Sequence, residues 1–459
     1  MAKDRLSHYN KPKKILILGA GIGGLYCAYK LGMKGFDVTL LEAKKQEELG
    51  YPWHDAVNKD TFRNADIILP RDVCIPKQVL DFMGPTGYGH IKQADKKAKS
   101  LDVDRKKLAH TLSTLASLYA TVHFNTKVDE LMIKDNFVIG AKCGSNSYIA
   151  DLTIDSAGLN SPFKQQTPIH FLMKDSFLDD DFMVAYRAFI KKKSSNEQPS
   201  NVYIMPHGIK GISWCKDAPD SNYADVFVGK LSTLSQDTIN EEINTIKEKH
   251  NYLTDEKLFE IRDTIPLRSP IGMMVGDGYA VIGNSASMSR PTNGSGIETT
   301  LIAAKILVDV ISNNKIYSAN NLWEYQYDFM KEIGKDLFFN YTLRLFLEEI
   351  ANKDLEWIFS SGIINDNLIS LANKEWSKIN DFKFSDITNS YDLIKSRKDL
   401  IDKLETAVKR AIEGRILANK IPKKYDYTAI LRWKEEYDAF TKETKRIAKE
   451  IMWIKLSQI

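Results

Sequence analysis

The hydrophobic pattern opens on a short, wholly apolar run, Ile15–Leu18, then glycines, then apolar residues at helical spacing from Leu25 to Leu31, then a second apolar run, Val38–Leu41. Unbroken apolar runs of this length suit parallel strands covered on both faces, so the segment predicts strand, helix, strand. Leu101–Ala116 predicts a strand end leading into an amphipathic helix with Leu108, Leu112 and Leu115 on one face. "ADLTID" predicts another buried strand ending at Asp155. Between Asn160 and Arg268 the pattern changes to alternation, as in "FMVAYRAFIKKK" and "YADVFVGKLS", which predicts antiparallel strands with one face buried. Tyr279–Ile282 is again a strand, followed by a long helix reaching about Ile311. From about Asn320 onward helical spacing dominates, with amphipathic stretches at Leu337–Ile350, Leu400–Leu417 and Thr428–Ile454. The fold class expected is α/β, α+β overall.

Composition narrows this little. A 459-residue chain with 43% hydrophobic and 27% charged residues is long enough for two to three domains. A net charge of +4 is too small to indicate a nucleic-acid binder. From Lys395 to the end, 17 Lys and Arg stand against 10 Asp and Glu, so the tail carries the excess. Solvated helix faces account for it, with attraction to anionic lipid headgroups as the alternative. Cys27, Cys74, Cys143 and Cys215 form no CxxC pair, which leaves no metal site and no disulfide framework. The basic start "MAKDRLSHYNKPKK" lacks a signal peptide's apolar core and no stretch reaches membrane-spanning length. A cytoplasmic location is expected, with any membrane contact peripheral.

The glycines of the first elbow read GxGxxG at Gly19, Gly21 and Gly24, with Ala20, Ile22 and Gly23 between them. Gly19 allows the tight turn, Gly21 lets a pyrophosphate approach the backbone, and Gly24 lets the helix pack on the strand. The helix start offers free N–H groups and partial positive charge to the phosphates. Glu42, followed by Ala43 and Lys44, ends the second strand where a carboxylate would accept hydrogen bonds from a ribose. A dinucleotide site follows, but this motif alone does not separate FAD from NAD.

The later segments resemble the geranylgeranyl reductase family of FAD-dependent oxidoreductases, whose fold is shared with aromatic flavoprotein hydroxylases. The resemblance rests on GxGxxG with Glu42, the Asp104–Arg105 helix start, the DxxGxxS of Asp155, Gly158 and Ser161, and "VIGNSASMSRPTNGSGIE". "GISWCKD" loosely echoes the family's tryptophan motif, and "NLWEYQYDFMKEIGKDLFFNYTLRLFLEEI" resembles its helical tail. It implies a discontinuous Rossmann-like FAD-binding domain (1–52, 92–160 and 265–318), an antiparallel-sheet substrate domain (53–91 and 161–264) and a helical C-terminal domain (319–459). It further implies flavin contacts at Arg105, Val128, Asp155, Gly158, Gly283, Asn284, Pro291, Gly294, Ser295, Gly296 and Ile297. Asn284 stands where the family has an aspartate, which removes a charge and adds an NH2 donor.

By the same resemblance the substrate is a hydrophobic isoprenoid chain on a lipid or quinone. NAD(P)H or another reduced carrier acts as electron donor, since no second GxGxxG marks a separate nicotinamide domain. Reducing an isolated alkene calls for a proton, a hydride and a dry site. His54 beside Asp55 is the candidate proton donor, and Trp53 or Trp214 the candidate aromatic face for a developing cation. Tyr186, Tyr203, Trp214 and Phe227 are candidates for the substrate wall. A flavin-dependent hydroxylase of the same fold, and an isoprenoid-binding module without turnover, are the competing readings.

Overall fold

The computed structural model describes residues 12–87, 90–92, 100–174, 179–206, 210–363 and 391–453; Ile454 and the first eleven residues lie outside them. The expected class is confirmed: an α/β layer, a large antiparallel sheet and a helical C-terminal region.

The central sheet runs in the order Val275–Gly276, Tyr279–Val281, Leu152–Asp155, Lys14–Leu18, Asp37–Leu41, Thr121–His123. All neighbours are parallel except the first pair. Its apolar runs are covered on both sides, as their lack of alternation demands. Helix Ile22–Met33 lies between helices Arg105–Tyr119 and Ile297–Asn313 on one face, and a three-stranded meander, Glu130–Ile149, lies against the other. Asp104, the residue before the Arg105 helix, is its N-cap and accepts from Lys107 N at 2.9 Å. Strand order reverses beside Lys14–Leu18, whose neighbours are reached by separate excursions of the chain. A crevice therefore opens at the carboxyl ends of Lys14–Leu18 and Leu152–Asp155.

The second large sheet has the order Leu253–Pro266, Phe182–Lys192, Tyr223–Leu231, Gly211–Asp217, Ser200–Ile204, Asp81–Met83, His90–Lys92. Helix Gln236–Lys249 covers one face through Ile239, Ile243 and Ile246, packed on Tyr186, Ala188, Ile190, Tyr203, Val226 and Val228. Period-2 alternation sends Arg187, Phe189, Trp214 and Phe227 to the opposite face. Tyr186 and Tyr203 are thus core residues under a helix, a correction to the expectation that they share a wall with Trp214 and Phe227.

Helices Lys335–Leu347, Lys398–Asn419 and Tyr427–Trp453 pack together, with Tyr437 Oη donating to Pro270 O, while helix Ala319–Phe329 docks on the central sheet, where Tyr325 Oη donates to Val281 O. No described helix is long and apolar enough to cross a membrane. A buried charged cluster ties this region to the start of strand Phe182–Lys192. Lys445 Nζ reaches Asp180 (2.5 Å) and Asp181 (3.1 Å), Tyr341 Oη donates to Asp181, and Arg344 pairs with Glu348. Burial pushes the Glu348 carboxyl up from 4.5 to about 7, with Asp180 adding to the rise and Arg344 and Lys210 opposing it. A carboxyl raised on folding favours the folded state when protonated, so its contribution is lost as pH rises from about 4.5 through 7. Glu348→Gln, which does not titrate, is expected to lose less stability than the parent between pH 4.5 and pH 8; denaturant titrations at the two pH values check this.

Candidate cofactor site

At the carboxyl end of Lys14–Leu18 the chain turns at Gly19 with φ +97°, and a β-carbon there would lie 2.6 Å from Ser156 O. A β-carbon on Gly24 would lie 2.3 Å from Gly19 O. These two glycines are required to close the elbow. Gly21 differs: it is exposed, and a β-carbon there would meet nothing nearer than Ser156 Oγ at 3.4 Å, so the space beyond it is not filled by protein. It is the N-cap of helix Ile22–Met33, which has no side-chain cap and no acidic residue in its first turn. The helix's free N–H groups and positive end therefore open on that space.

Glu42, at the end of the adjacent strand, is fixed by Ala20 N on Oε2 (2.6 Å) and Lys44 N on Oε1 (2.8 Å), and each oxygen keeps a lone pair for a further donor. Ala43 and Lys44 are exposed beside it, while Val128 is half-buried against the core.

The second elbow follows Tyr279–Val281. Gly283 starts a short turn through Ala286 that is bound into the sheet by Asp155. Asp155 is completely buried and accepts from Ala157 N (3.0 Å) and Ser285 Oγ (3.1 Å) on Oδ1, and from Ser161 Oγ (2.6 Å) and Tyr279 Oη (2.8 Å) on Oδ2. Lys164 Nζ, also buried, donates to Ser285 O at 2.5 Å, and Gly158 N donates to Ser285 Oγ at 2.8 Å. The Asp155 carboxylate is thus engaged inside the protein, joining the two loops. Beyond it, Pro291 is buried and Ser295 donates to Asn293 Oδ1. Gly294, at φ +71°, lets the loop pass under Ile265, whose Cγ2 would stand 2.9 Å from a β-carbon there. Gly296 is the N-cap of helix Ile297–Asn313, again without a side-chain cap.

The two elbows converge. A β-carbon on Gly23 would stand 2.8 Å from Thr300 Cγ2, so the two uncapped helices touch within their first turns and open on one crevice. These residues fit a bound dinucleotide: two sets of free N–H donors, a prepositioned carboxylate and unfilled space over Gly21; Arg105 Nε is a buried donor with no hydrogen-bond partner among the described residues.

Residues 17–63 match the model of the NAD(P)-binding Rossmann-like domain. Similar curated proteins are digeranylgeranylglycerophospholipid reductases: that of Sulfolobus acidocaldarius is 22% identical over 77% of this chain and 81% of its own length, and that of Methanosphaerula palustris 24% identical over 85% and 97%. The chain resembles the geranylgeranyl reductase family over most of its length. Among solved structures, a geranylgeranyl bacteriochlorophyll reductase-like protein from Thermoplasma acidophilum superposes with a TM-score of 0.66, at 18% identity over 85% of this chain and 99% of that one. A flavin-dependent brominase superposes with a TM-score of 0.58, at 14% identity over 94% and 100%. The fold is shared with these proteins.

The side of the large sheet opposite helix Gln236–Lys249 carries a stack that sequence reading does not find. Arg187 lies over the Trp53 ring (4.1 Å to the centroid) and the Trp214 ring (5.2 Å). Tyr51 stacks on Trp53 (4.3 Å) and Phe227 on Trp214 (3.9 Å). The guanidinium is held by the buried Asp225 at 2.8 and 2.5 Å, and Asp55 lies 3.9 Å away. Each tryptophan therefore already has an aromatic ring stacked on it and the Arg187 cation over it, with Lys216 also over Trp214 at 5.3 Å, so a second, substrate cation would meet positive charge at both rings. That corrects the role expected of them.

His54 and Asp55 are not brought together either. As neighbours on the strand His54–Asn58 they point to opposite sides. His54 Nε2 is 4.0 Å from Asp104, and Asp55 pairs with Arg105 at 2.8 Å. Burial depresses the His54 pKa against the pull of Asp104 and Asp102. Burial would raise Asp55, but Arg105, Arg187 and Lys216 outweigh it and hold the carboxyl below its usual range. An Asp kept ionised beside a His kept neutral is a poor proton-donor couple.

The one cue to Arg187 in the sequence is a charge inside the buried run "FMVAYRAFI". Arg187→Ala should cost about 3 kcal/mol, because Asp225 would stay buried with its main partner gone. Arg187→Lys should not restore it, since an ammonium supplies neither the bidentate fork nor the planar stack; denaturant melts of the three proteins make the comparison.

Proposed function

We propose that the chain is an FAD-dependent oxidoreductase that saturates isolated carbon–carbon double bonds of isoprenoid chains carried on a lipid or quinone. The observation that carries this is the meeting of two uncapped, glycine-bearing helix starts at the switch point beneath the large sheet. The similarity to reductases of digeranylgeranyl lipids, spread over most of the chain, supplies the substrate class.

Gly19–Gly24 and Arg105 would hold the pyrophosphate, Glu42 the ribose, and Asn284 with the start of helix Ile297–Asn313 the flavin end. When bound, FAD supplies the hydride, after reduction by NAD(P)H or another electron carrier. The protein's part is to seat an apolar chain and keep water away. Half-buried Met183, Ile212 and Ile265 share the face of the large sheet opposite helix Gln236–Lys249, with buried Ala185 among them, and Ile265 lies against the Gly294 loop. An isoprenoid laid along that row would bury its methyl groups against apolar side chains, at roughly 25 cal/mol per Å² removed from water. The Arg187 stack closes the same face further along and fixes the sheet against the Trp53 segment.

The test is anaerobic: protein loaded with FAD, reduced chemically and given geranylgeranyl lipids should yield products heavier by two hydrogens for each bond saturated, read by mass spectrometry. Oxygen uptake driven by an aromatic acid, with no saturated lipid, would make it a hydroxylase. Lipid retained without change would make it a binding module.

A further inference from the structure

From Val281 to Pro291 every residue is buried except Asn284, which is exposed, and the half-buried Arg290. A polar side chain thus stands exposed on a turn otherwise locked in place, with Asp155 and Lys164 gripping Ser285 beside it. The direction of its amide is set from within. The buried hydroxyl of Ser289 donates to Asn284 Oδ1 at 2.9 Å, which leaves the Nδ2 hydrogens for whatever occupies the crevice. Ser289 in turn abuts Gly296, where a β-carbon would sit 3.0 Å from its Oγ, and Gly296 is the N-cap of helix Ile297–Asn313. Amide donors and the helix's first N–H groups therefore lie side by side, with no carboxylate on the turn itself and with Glu298, in the helix's first turn, paired to Arg290 at 3.0 Å.

We infer that Asn284 is a tuning residue that presents an N–H donor to the flavin end of the cofactor and makes the site favour the reduced, more negatively charged cofactor over the oxidised one. This rests on the flavin reading above. The physical basis is that donors and a helix N-terminus aimed at developing negative charge stabilise it without reorganisation, whereas a carboxylate at the same place would oppose it.

The experiment measures the two-electron reduction potential of bound FAD, and its dissociation constant, in the parent, Asn284→Asp, Asn284→Ala and Ser289→Ala proteins. Asn284→Asp should lower the ratio of reduced to oxidised affinity about tenfold, a fall of about 30 mV for a two-electron couple. Asn284→Ala should fall by less, because it loses the donor without gaining the charge. Ser289→Ala, which frees the amide to turn over, should lie between the parent and Asn284→Asp. If Asn284→Asp binds FAD and its potential equals the parent's, the inference is wrong while the flavin reading stands. If the parent itself binds no FAD, both are wrong.

Discussion

Gly21→Val is expected to abolish FAD binding while leaving the apoprotein folded. The backbone at Gly21 is extended, with φ −64° and ψ 166°, which valine accepts, and the nearest atom to a β-carbon there is 3.4 Å away. The branched side chain would instead fill the space over the helix start that a pyrophosphate needs. Losing two charge-assisted hydrogen bonds at about 1.5–3 kcal/mol each amounts to a weakening of roughly 100-fold or more. Quenching of FAD fluorescence gives the dissociation constant, and the apoprotein's thermal melt should stay within a few degrees of the parent's. Gly24→Val makes the contrast: with a β-carbon 2.3 Å from Gly19 O, it should fail to fold. Equal affinity in Gly21→Val and parent would remove this helix start from the site.

Asp155→Ala should be the most destabilising single change away from the glycines, at about 3–5 kcal/mol, because it leaves buried donors without their acceptor. Three hydroxyls and one N–H converge on that carboxylate, from Ala157, Ser161, Tyr279 and Ser285. Tyr279→Phe removes only one of these donors and should cost about 1 kcal/mol. Denaturant unfolding of the two variants tests the ordering. If Asp155→Ala costs no more than Tyr279→Phe, the carboxylate is not the joint between the two elbows.

The first elbow was legible because its signals are local. Apolar runs, three glycines at fixed spacing and Glu42 lie within thirty residues, and each has one physical use. The alternation between Asn160 and Arg268 announced a half-buried antiparallel sheet, but alternation cannot say which face meets a helix. Helix Gln236–Lys249 decides that by covering Tyr186 and Tyr203, which leaves Trp214 and Phe227 on the other side. Partners distant in sequence were equally hidden. Asp155 is joined to Ser285 across 130 residues, and Arg187 to Asp225 and Trp53 from separate elements. For that reason Asp155 reads in sequence as a ligand contact although its oxygens are turned inward, and Trp53 and Trp214 read as free aromatic surfaces although Arg187 lies between them.

The most direct measurement of the central claim is the stoichiometry of bound flavin. Purified protein is saturated with FAD, freed of excess by gel filtration and read by its visible absorbance against its protein absorbance. One flavin per chain in the parent, and none in Gly21→Val, is the result expected if both glycine elbows grip a single cofactor. A parent protein that emerges colourless would contradict the account.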